Sequence, residues 1–378
     1  MAKLGEVCSI KSGYAFKSKL FVDVGIPIIR IGDIADFKVK LDDVVYYPND
    51  LWNELEPYAI HKGDILIAMS GATVGKVGVY CSNKKALLNQ RVGNIVSDCK
   101  KTINEYILYF CQSQHFTEYI FESAFGCAQP NISIEQIKNC ELEIPCLDVQ
   151  YERVKKLANI DFLINAKKTQ VKKLDLLVKS RFIEMFGDET NIVKMADICS
   201  IITDGTHQPP KFVSRGIPFL FVSNIANNEI NYNAEKFINI ETYAELYKRT
   251  PIELGDIILS TVGSYGHPAI VKNDKKFLFQ RHIAYLKPKK EIINSVFLHA
   301  AILSETVQEQ IKRKVKGIAQ KTLNLSNIRS LDIILPDINK QKQFAEFIYA
   351  TDKSKLAIQQ SLEKLETLKK SLMQEYFG

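Results

Sequence analysis

The stretch "SGATVGKVGV" from Ser70 combines glycines, hydroxyls and a lysine in the manner of a phosphate-binding loop. Such a loop needs the spacing G-x-x-x-x-G-K-[ST], so that amides wrap the phosphates and the last hydroxyl reaches a metal. Gly71 to Gly75 is one residue too short, and Val77 stands where the hydroxyl belongs. A related stretch, "GSYGHPAIV" from Gly263, has no lysine. No nucleotide site is expected. The six histidines (His61, His115, His207, His267, His282, His299) fall at no metal-ligand spacing, and none of the eight cysteines forms a C-x-x-C pair. No G-x-G-x-x-G follows a strand, and neither half carries an Asn/Asp-Pro-Pro-aromatic tetrapeptide like that of an amino-methyltransferase. The residues offer no catalytic constellation, no metal site and no resident cofactor.

What remains is the chemistry of contact. Ser70, Thr73 and Lys76 supply donors beside glycines that let a backbone approach phosphate, and Thr261, Ser264, Tyr265 and His267 occupy the related stretch. A plain hairpin turn explains any one of them equally well. Gln90-Arg91 and Gln280-Arg281 join an amide suited to adenine with a guanidinium suited to guanine or phosphate. Their repetition suggests a shared framework role ahead of base reading. Gln129 and Asn131, with Gln320, Lys321 and Thr322, lie in polar loops ahead of a final strand. Lys11, Tyr14, Lys17 and Lys19, with His207 and Lys211 in the other half, form variable polar stretches that are mostly surface.

The elements that must carry these residues follow from the chain as a whole. At 378 residues and 46% hydrophobic it holds two ordinary cores more readily than one. No apolar run approaches the roughly 18 residues of a membrane span, and the N-terminus lacks the pattern of a secretory signal, so a cytoplasmic location is expected. The cysteines read as buried free thiols in a reducing compartment. A formal charge of +7 permits a nucleic-acid partner without demanding one.

The glycine-rich stretches at Ser70 and Gly263 belong to a repeat. "GIPIIRIGDI" from Gly25 and "GIPFLFVSNI" from Gly216 are 191 positions apart, as are Gly187 and Gly378, which end "VKSRFIEMFG" and "KKSLMQEYFG". "KGDILIAMSG" meets "LGDIILSTVG" at 192, and "NQR" meets "FQR" at 190. Small loop insertions account for the drift, and the chain reads as a tandem duplication, residues 1–187 and 192–378. Each copy opens with short β-rich runs broken by Gly, Pro and Asn, such as "IPIIRI", "DILIAM" and "KVGVY", and a helical stretch follows. After Pro145 and Pro336 come long segments free of Gly and Pro. Leu157, Ile164, Val171 and Val178 recur every seven residues in the first, and Ile358, Leu365 and Leu372 in the second. The fold class is therefore mixed α/β globules plus long helices. The expected divisions are a globule at 1–148, a helix at 149–187, a globule at 188–338 and a helix at 339–378. Helices of about 55 Å overhang a small domain, so their apolar stripes are expected to bury each other as an antiparallel coiled coil. A pseudo-two-fold dumbbell with a globule at each end results. Asp161 and Lys168 interrupt the seam and read as solvated positions.

In this order, twice, the phrases resemble the specificity (S) subunit of type I restriction-modification systems over essentially the whole chain. They are Gly25-Ile-Pro with Arg30 and Asp33-Ile34, Gly63-Asp64-Ile65-Leu66 with Gly71 and Gly75, Asn89-Gln90-Arg91, Gln129 with Asn131-Ile132-Ser133, and Ile144-Pro145 leading to Gln150 and Asp161. Gly216-Ile-Pro, Gly255-Asp256-Ile257, Gln280-Arg281, Gln320, Pro336, Gln341 and Asp352 answer them. Phe221 stands where the first copy has Arg30, so identical DNA contacts are not expected. The resemblance implies two target recognition domains reading the unequal halves of a bipartite double-stranded DNA target. It also implies a non-catalytic chain whose helices dock two methyltransferase (M) subunits carrying S-adenosylmethionine. Two restriction (R) subunits, using ATP and Mg, join where the system cleaves. The repeated chain ending is then a repeated docking surface. Two alternatives stay open: a protein-interaction scaffold with degenerate recognition domains, and the specificity component of a related system whose methyltransferase and nuclease are fused.

Overall fold

A computed structural model of the chain describes residues 1–124, 130–315 and 321–378. The chain divides into two compact units, Met1–Lys168 with Gln360–Gly378, and Thr169–Gln359. Each unit holds a mixed α/β globule and one stretch from each of two 40-residue helices, α1 (Leu147–Phe186) and α2 (Ile338–Phe377). Both helices lack internal Gly and Pro, so nothing breaks their backbone ladder.

In the first unit a six-stranded sheet runs in the order Cys8–Ser12, Val92–Ser97, Ile65–Ala68, Val77–Val79, Phe37–Val39, Ile34–Ala35. A four-stranded sheet orders Val45–Tyr47, Ile26–Ile29, Ala86–Leu88, Ala59–Ile60. The second unit repeats the plan with Cys199–Asp204, Ile283–Pro288, Ile257–Ser260, Pro268–Ile270 and with Lys236–Ile238, Ile217–Leu220, Leu278–Phe279. The strands "IPII" and "ILIA" are buried along their whole length, which is why they read as continuous apolar runs. The single helical stretch expected after them is two helices, Asn104–Cys111 and Gln114–Ala124, packed in the first core.

Within each unit the two helices run antiparallel. In the first, Lys168 Nζ meets Glu366 Oε1 at 3.0 Å, Lys369 Nζ meets Asp161 Oδ1 at 2.6 Å, and Arg153 Nη1 donates to the Tyr376 carbonyl at 3.4 Å. In the second, Lys355 Nζ meets Asp175 Oδ1 at 2.6 Å, and the Arg181 guanidinium lies 6.0 Å from the Phe347 ring centre. Leu157 and Ile164 are buried, while Val171, Val178, Ile358, Leu365 and Leu372 are half-buried. The heptad passed over Ile160, Phe186, Phe344 and Ala345, which are also buried. Asp161 is not the solvated interruption that the seam suggested. It accepts from Lys369 and, at 2.9 Å, from the Tyr109 hydroxyl, so it fastens both helices to the globule.

The repeated chain ending has a physical reason inside each unit. Phe377 lies 5.0 Å from the Tyr106 ring in the first core, and Phe186 lies 4.9 Å from Phe297 and 5.5 Å from Phe344 in the second. Burying such a ring is worth about 2 kcal/mol or more. Both phrases end in an aromatic plug that faces inward, so part of the repetition, the shared Phe186 and Phe377, serves each core. Several family-like polar residues are likewise framework. Gln150 Oε1 accepts from Thr102 Oγ1 at 2.8 Å and its amide donates to the Pro145 carbonyl at 2.8 Å. Gln341 repeats this on Asn294 N and the Pro336 carbonyl, each at 2.8 Å. Of the described cysteines, Cys8, Cys111, Cys140 and Cys199 are buried as expected, but Cys81, Cys99 and Cys146 are exposed.

Candidate nucleic-acid interface

In the first unit three distant segments meet at the end of strand Ile65–Ala68. Met69 N donates to the Arg91 carbonyl at 2.9 Å, and Ile132 N donates to the Met69 carbonyl at 2.9 Å. Ser70 is bridged to Asn131, and Gly71 N donates to the Pro130 carbonyl at 2.9 Å. Tyr14 N donates to the Leu88 carbonyl at 2.8 Å and Gln90 N donates to the Tyr14 carbonyl at 2.9 Å, which adds the N-terminal segment. The turn itself is closed by its own backbone. Gly75 N and Ala68 N bond across it at 2.9 Å each, and Gly71 and Gly75 take φ of +73° and +81°. The amides of Gly71, Val74, Gly75 and Lys76 are thus committed within the fold and do not serve a phosphate. The rim presents side chains: Lys76, Gln90, Arg91 and Asn131 are exposed.

The second unit assembles the same rim from different residues. Thr261 N donates to the His282 carbonyl at 3.0 Å and Leu323 N donates to the Thr261 carbonyl at 2.8 Å. Val262 is bridged to Thr322, and Arg281 N donates to the Thr206 carbonyl at 3.0 Å. Ser264, His267, Arg281 and Lys321 are exposed there.

These bonds fix the register of the repeat. Tyr14 is bridged to Asn89 and Thr206 to Gln280. Asn89 N bonds the Ile29 carbonyl as Gln280 N bonds that of Leu220, both at 3.1 Å. The counterpart of Asn89 is therefore Gln280, that of Gln90 is Arg281, and that of Arg91 is His282, all at an offset of 191. The Gln-Arg pairs are not equivalent, and the shared role read from their repetition is withdrawn. His282 therefore stands at the second rim where the first has Arg91. Its imidazole is held below the usual range by burial and then by the neighbouring Arg281 charge.

Other expected contacts fall as follows. Thr261 is 5% exposed, because it takes the buried place of Met69, and its side chain is no surface donor. Tyr14 is half-buried, its ring 5.2 Å from Phe16 and 5.3 Å from Tyr58. Arg30 is tied back: its amide donates to Asp33 Oδ2 at 2.7 Å, a turn that Phe221 and Asn224 reproduce at 2.9 Å. Ser70 and Thr73 are half-buried at the rim, and Ser70 Oγ is buried without a hydrogen-bond partner. Lys11 extends along strand Cys8–Ser12, while Lys17 and Lys19 are exposed around a short 3-10 turn. His207 pairs with Asp204 at 2.9 Å, and Arg249 holds the other carboxylate oxygen at 2.5 Å. Lys211 is exposed; Tyr265 packs against the core, and Gln280 and Thr322 are half-buried. Gln129 and Gln320 lie outside the described residues.

Two rims with one backbone plan and different side chains are what a duplicated reader of two sites would need. The family described as "Type I restriction modification DNA specificity domain" matches residues 1–174 and again 188–369. The chain belongs to this family. It is 24% identical, over 413 aligned positions, to the type I restriction enzyme EcoBI specificity subunit of Escherichia coli, covering 99% of this chain and 84% of that one. The MjaIX specificity subunit of Methanocaldococcus jannaschii is 25% identical over 300 positions, 73% of this chain and 67% of that one. In fold the chain resembles the S subunit of the type I system from M. genitalium, with a TM-score of 0.55 at 15% identity over 100% of this chain and 95% of that one. A structure concerned with complex assembly and conformational transition of the type I R-M system gives a TM-score of 0.60 at 15% identity, covering 100% and 96%.

The two specificity domains also share the supports of their rims. Asp64 Oδ2 accepts from His61 N at 2.9 Å and from Asn94 Nδ2 at 2.8 Å. Asp256 Oδ2 accepts from Glu253 N at 2.8 Å and from the Tyr285 hydroxyl at 2.7 Å. The Gly-Asp phrase thus builds the turn entering the strand that carries each rim. Among the described residues no three His, Cys, Asp or Glu side chains are grouped to hold a metal, and no helix is long and apolar enough to cross a membrane.

Proposed function

We propose that the chain is the non-catalytic DNA specificity subunit of a type I restriction-modification complex. Its domains at residues 1–148 and 188–338 read the two unequal halves of a split, asymmetric double-stranded target. The observation that carries this reading is the pair of rims. The hydrogen-bond scaffold is reproduced at offsets of 191 and 192, while Gln90, Arg91 and Lys76 become Arg281, His282 and His267. A common scaffold fixes where a duplex would lie, and changed side chains change which bases it accepts. Lys11, Lys17, Lys19, Lys76, Arg91, Lys211, Arg281 and Lys321 serve phosphate, and Gln90, Asn131, Ser264 and His267 serve base edges.

The helices fix the gap between half-sites and dock two methyltransferase subunits, which bring S-adenosylmethionine. Restriction subunits with ATP and Mg join from outside, in the cytoplasm. Uncovered apolar side chains on the helices support docking: Phe162 is 72% exposed in the first unit and Ile183 67% in the second, with Leu163, Leu368, Leu176 and Leu356 also exposed. A genome-wide map of N6-methyladenine, with and without this gene, tests the reading. Loss of one split motif with a constant gap is expected; an unchanged map overturns it in favour of a scaffold whose domains read no DNA.

A further inference from the structure

At the rim of the first unit, a hairpin holds a residue in a place its chemistry resists. Strands Ile34–Ala35 and Phe37–Val39 pair as Ile34 with Val39 and Ala35 with Lys38, leaving Asp36 and Phe37 at φ of +54° and +58°. Two successive left-handed residues make a turn that asks for Asn or Gly, because a Cβ there crowds the backbone. The second unit supplies what the geometry asks: Asn227 and Asn228, at +52° and +61°, in the hairpin Ile225–Ala226 and Glu229–Ile230. The first unit keeps a phenylalanine instead.

Packing covers only half of that ring. Phe37 is 50% exposed, and among the described residues it faces no aromatic ring and joins no buried cluster. On one side Lys38 is exposed; on the other Asp36 is taken up by Lys40 at 3.1 Å, which leaves Lys38 as the charge beside the ring. Its position is fixed twice. Phe37 is the register partner of Gly78, two residues beyond Lys76. In the second unit Asn228 Oδ1, the counterpart of Phe37, lies 3.1 Å from Nδ1 of His267, the counterpart of Lys76. The strained ring therefore stands at the rim, beside the Ser70–Lys76 turn.

We infer that Phe37 is an apolar wedge for the DNA duplex. Its ring presses against a base step of the half-site read by the first unit, with Lys38 and Lys76 on the flanking phosphates. A half-exposed ring set by a tight turn, with Lys38 next to it and Lys76 on the adjoining turn, suits a partly unstacked base step, where apolar side chains enter DNA. Asn228 gives the second unit no such wedge, so one half-site is deformed and the other is not. This rests on the DNA-reading function proposed above.

The test uses the tagged chain purified from its own cells with the subunits it carries, and duplexes bearing the split motif from the methylation map. 2-Aminopurine scanned through both half-sites should brighten at one step, in one half-site. Phe37→Asn, which copies Asn228, should abolish that brightening and weaken target binding about tenfold, the scale of one lost aromatic–base contact. Its thermal midpoint should not fall, since the turn is relieved of strain; Phe37→Gly should behave alike and Phe37→Trp should retain the brightening. Unchanged binding by Phe37→Asn, or no brightened step with the wild type, overturns the wedge alone. A wild-type complex that binds no duplex overturns the DNA-reading function and the wedge with it.

Discussion

Gly13 and Gly205 lie where the chain crosses the end of a strand, and a Cβ would stand 1.8 Å from the Leu88 carbonyl oxygen and 2.2 Å from that of Phe279. Gly13→Ala should cost about 3 kcal/mol through backbone displacement, read as a lower midpoint in thermal unfolding, and Gly205→Ala should do the same in the second unit. Acid acts through His299, half-buried with Nε2 at 3.1 Å from the Pro268 carbonyl and 3.3 Å from that of Asn228. Burial, its largest influence, holds that imidazole below its ordinary 6.5, against the raising effect of both carbonyls. Below 6.5 the unfolded chain takes a proton that the folded one refuses, so stability is full above that pH and falls as the medium is acidified. Urea unfolding from pH 7 to 5 should show the decline, and His299→Gln should flatten it. At this scale the sequence revealed the strained turns, through their glycines, better than the contacts. The Gln-Arg pair misled because identical residues one step out of register look more alike than Asn-Gln-Arg beside Gln-Arg-His. Only the backbone partners of Asn89 and Gln280 decide between those alignments.

Among elements, the helices are held by unequal ion pairs. Asp161 and Lys369 are largely shielded and share Tyr109, while Lys168 and Glu366 are about half exposed. A double-mutant cycle on Asp161→Ala and Lys369→Met should give a coupling of about 1 kcal/mol, and one on Lys168→Ala and Glu366→Ala below about 0.5 kcal/mol. For the docking faces, Ile183→Asp and Phe162→Asp should each reduce copurified methyltransferase, measured as its ratio to the tagged chain, with thermal stability retained because both side chains are exposed. The seven-residue spacing made the helices legible. It left Asp161 unexplained, because its partners Tyr109 and Lys369 are 52 and 208 positions away in the chain.

For the whole molecule, modularity is the testable property. Exchanging residues 188–338 for the matching segment of another specificity subunit should replace one half-site in the N6-methyladenine map and leave the other and the gap unchanged. The tandem plan was legible because both copies must build the same turns, seen in Gly63 and Gly255 at φ of +98° and +90°. Base preference was not, because it belongs to side chains that the scaffold leaves free to differ.

The second unit is one continuous stretch, Thr169–Gln359, whereas the first is closed by Gln360–Gly378, whose Tyr376 and Phe377 are buried in its core. During synthesis from the N-terminus, the half made first is thus the half completed last. It must wait, with an unfilled aromatic socket, until Tyr376 and Phe377 have left the ribosome, by which time the half made later has all its parts. Chains truncated after Gln359 and released from the ribosome should therefore resist protease in the second unit and be cut in the first.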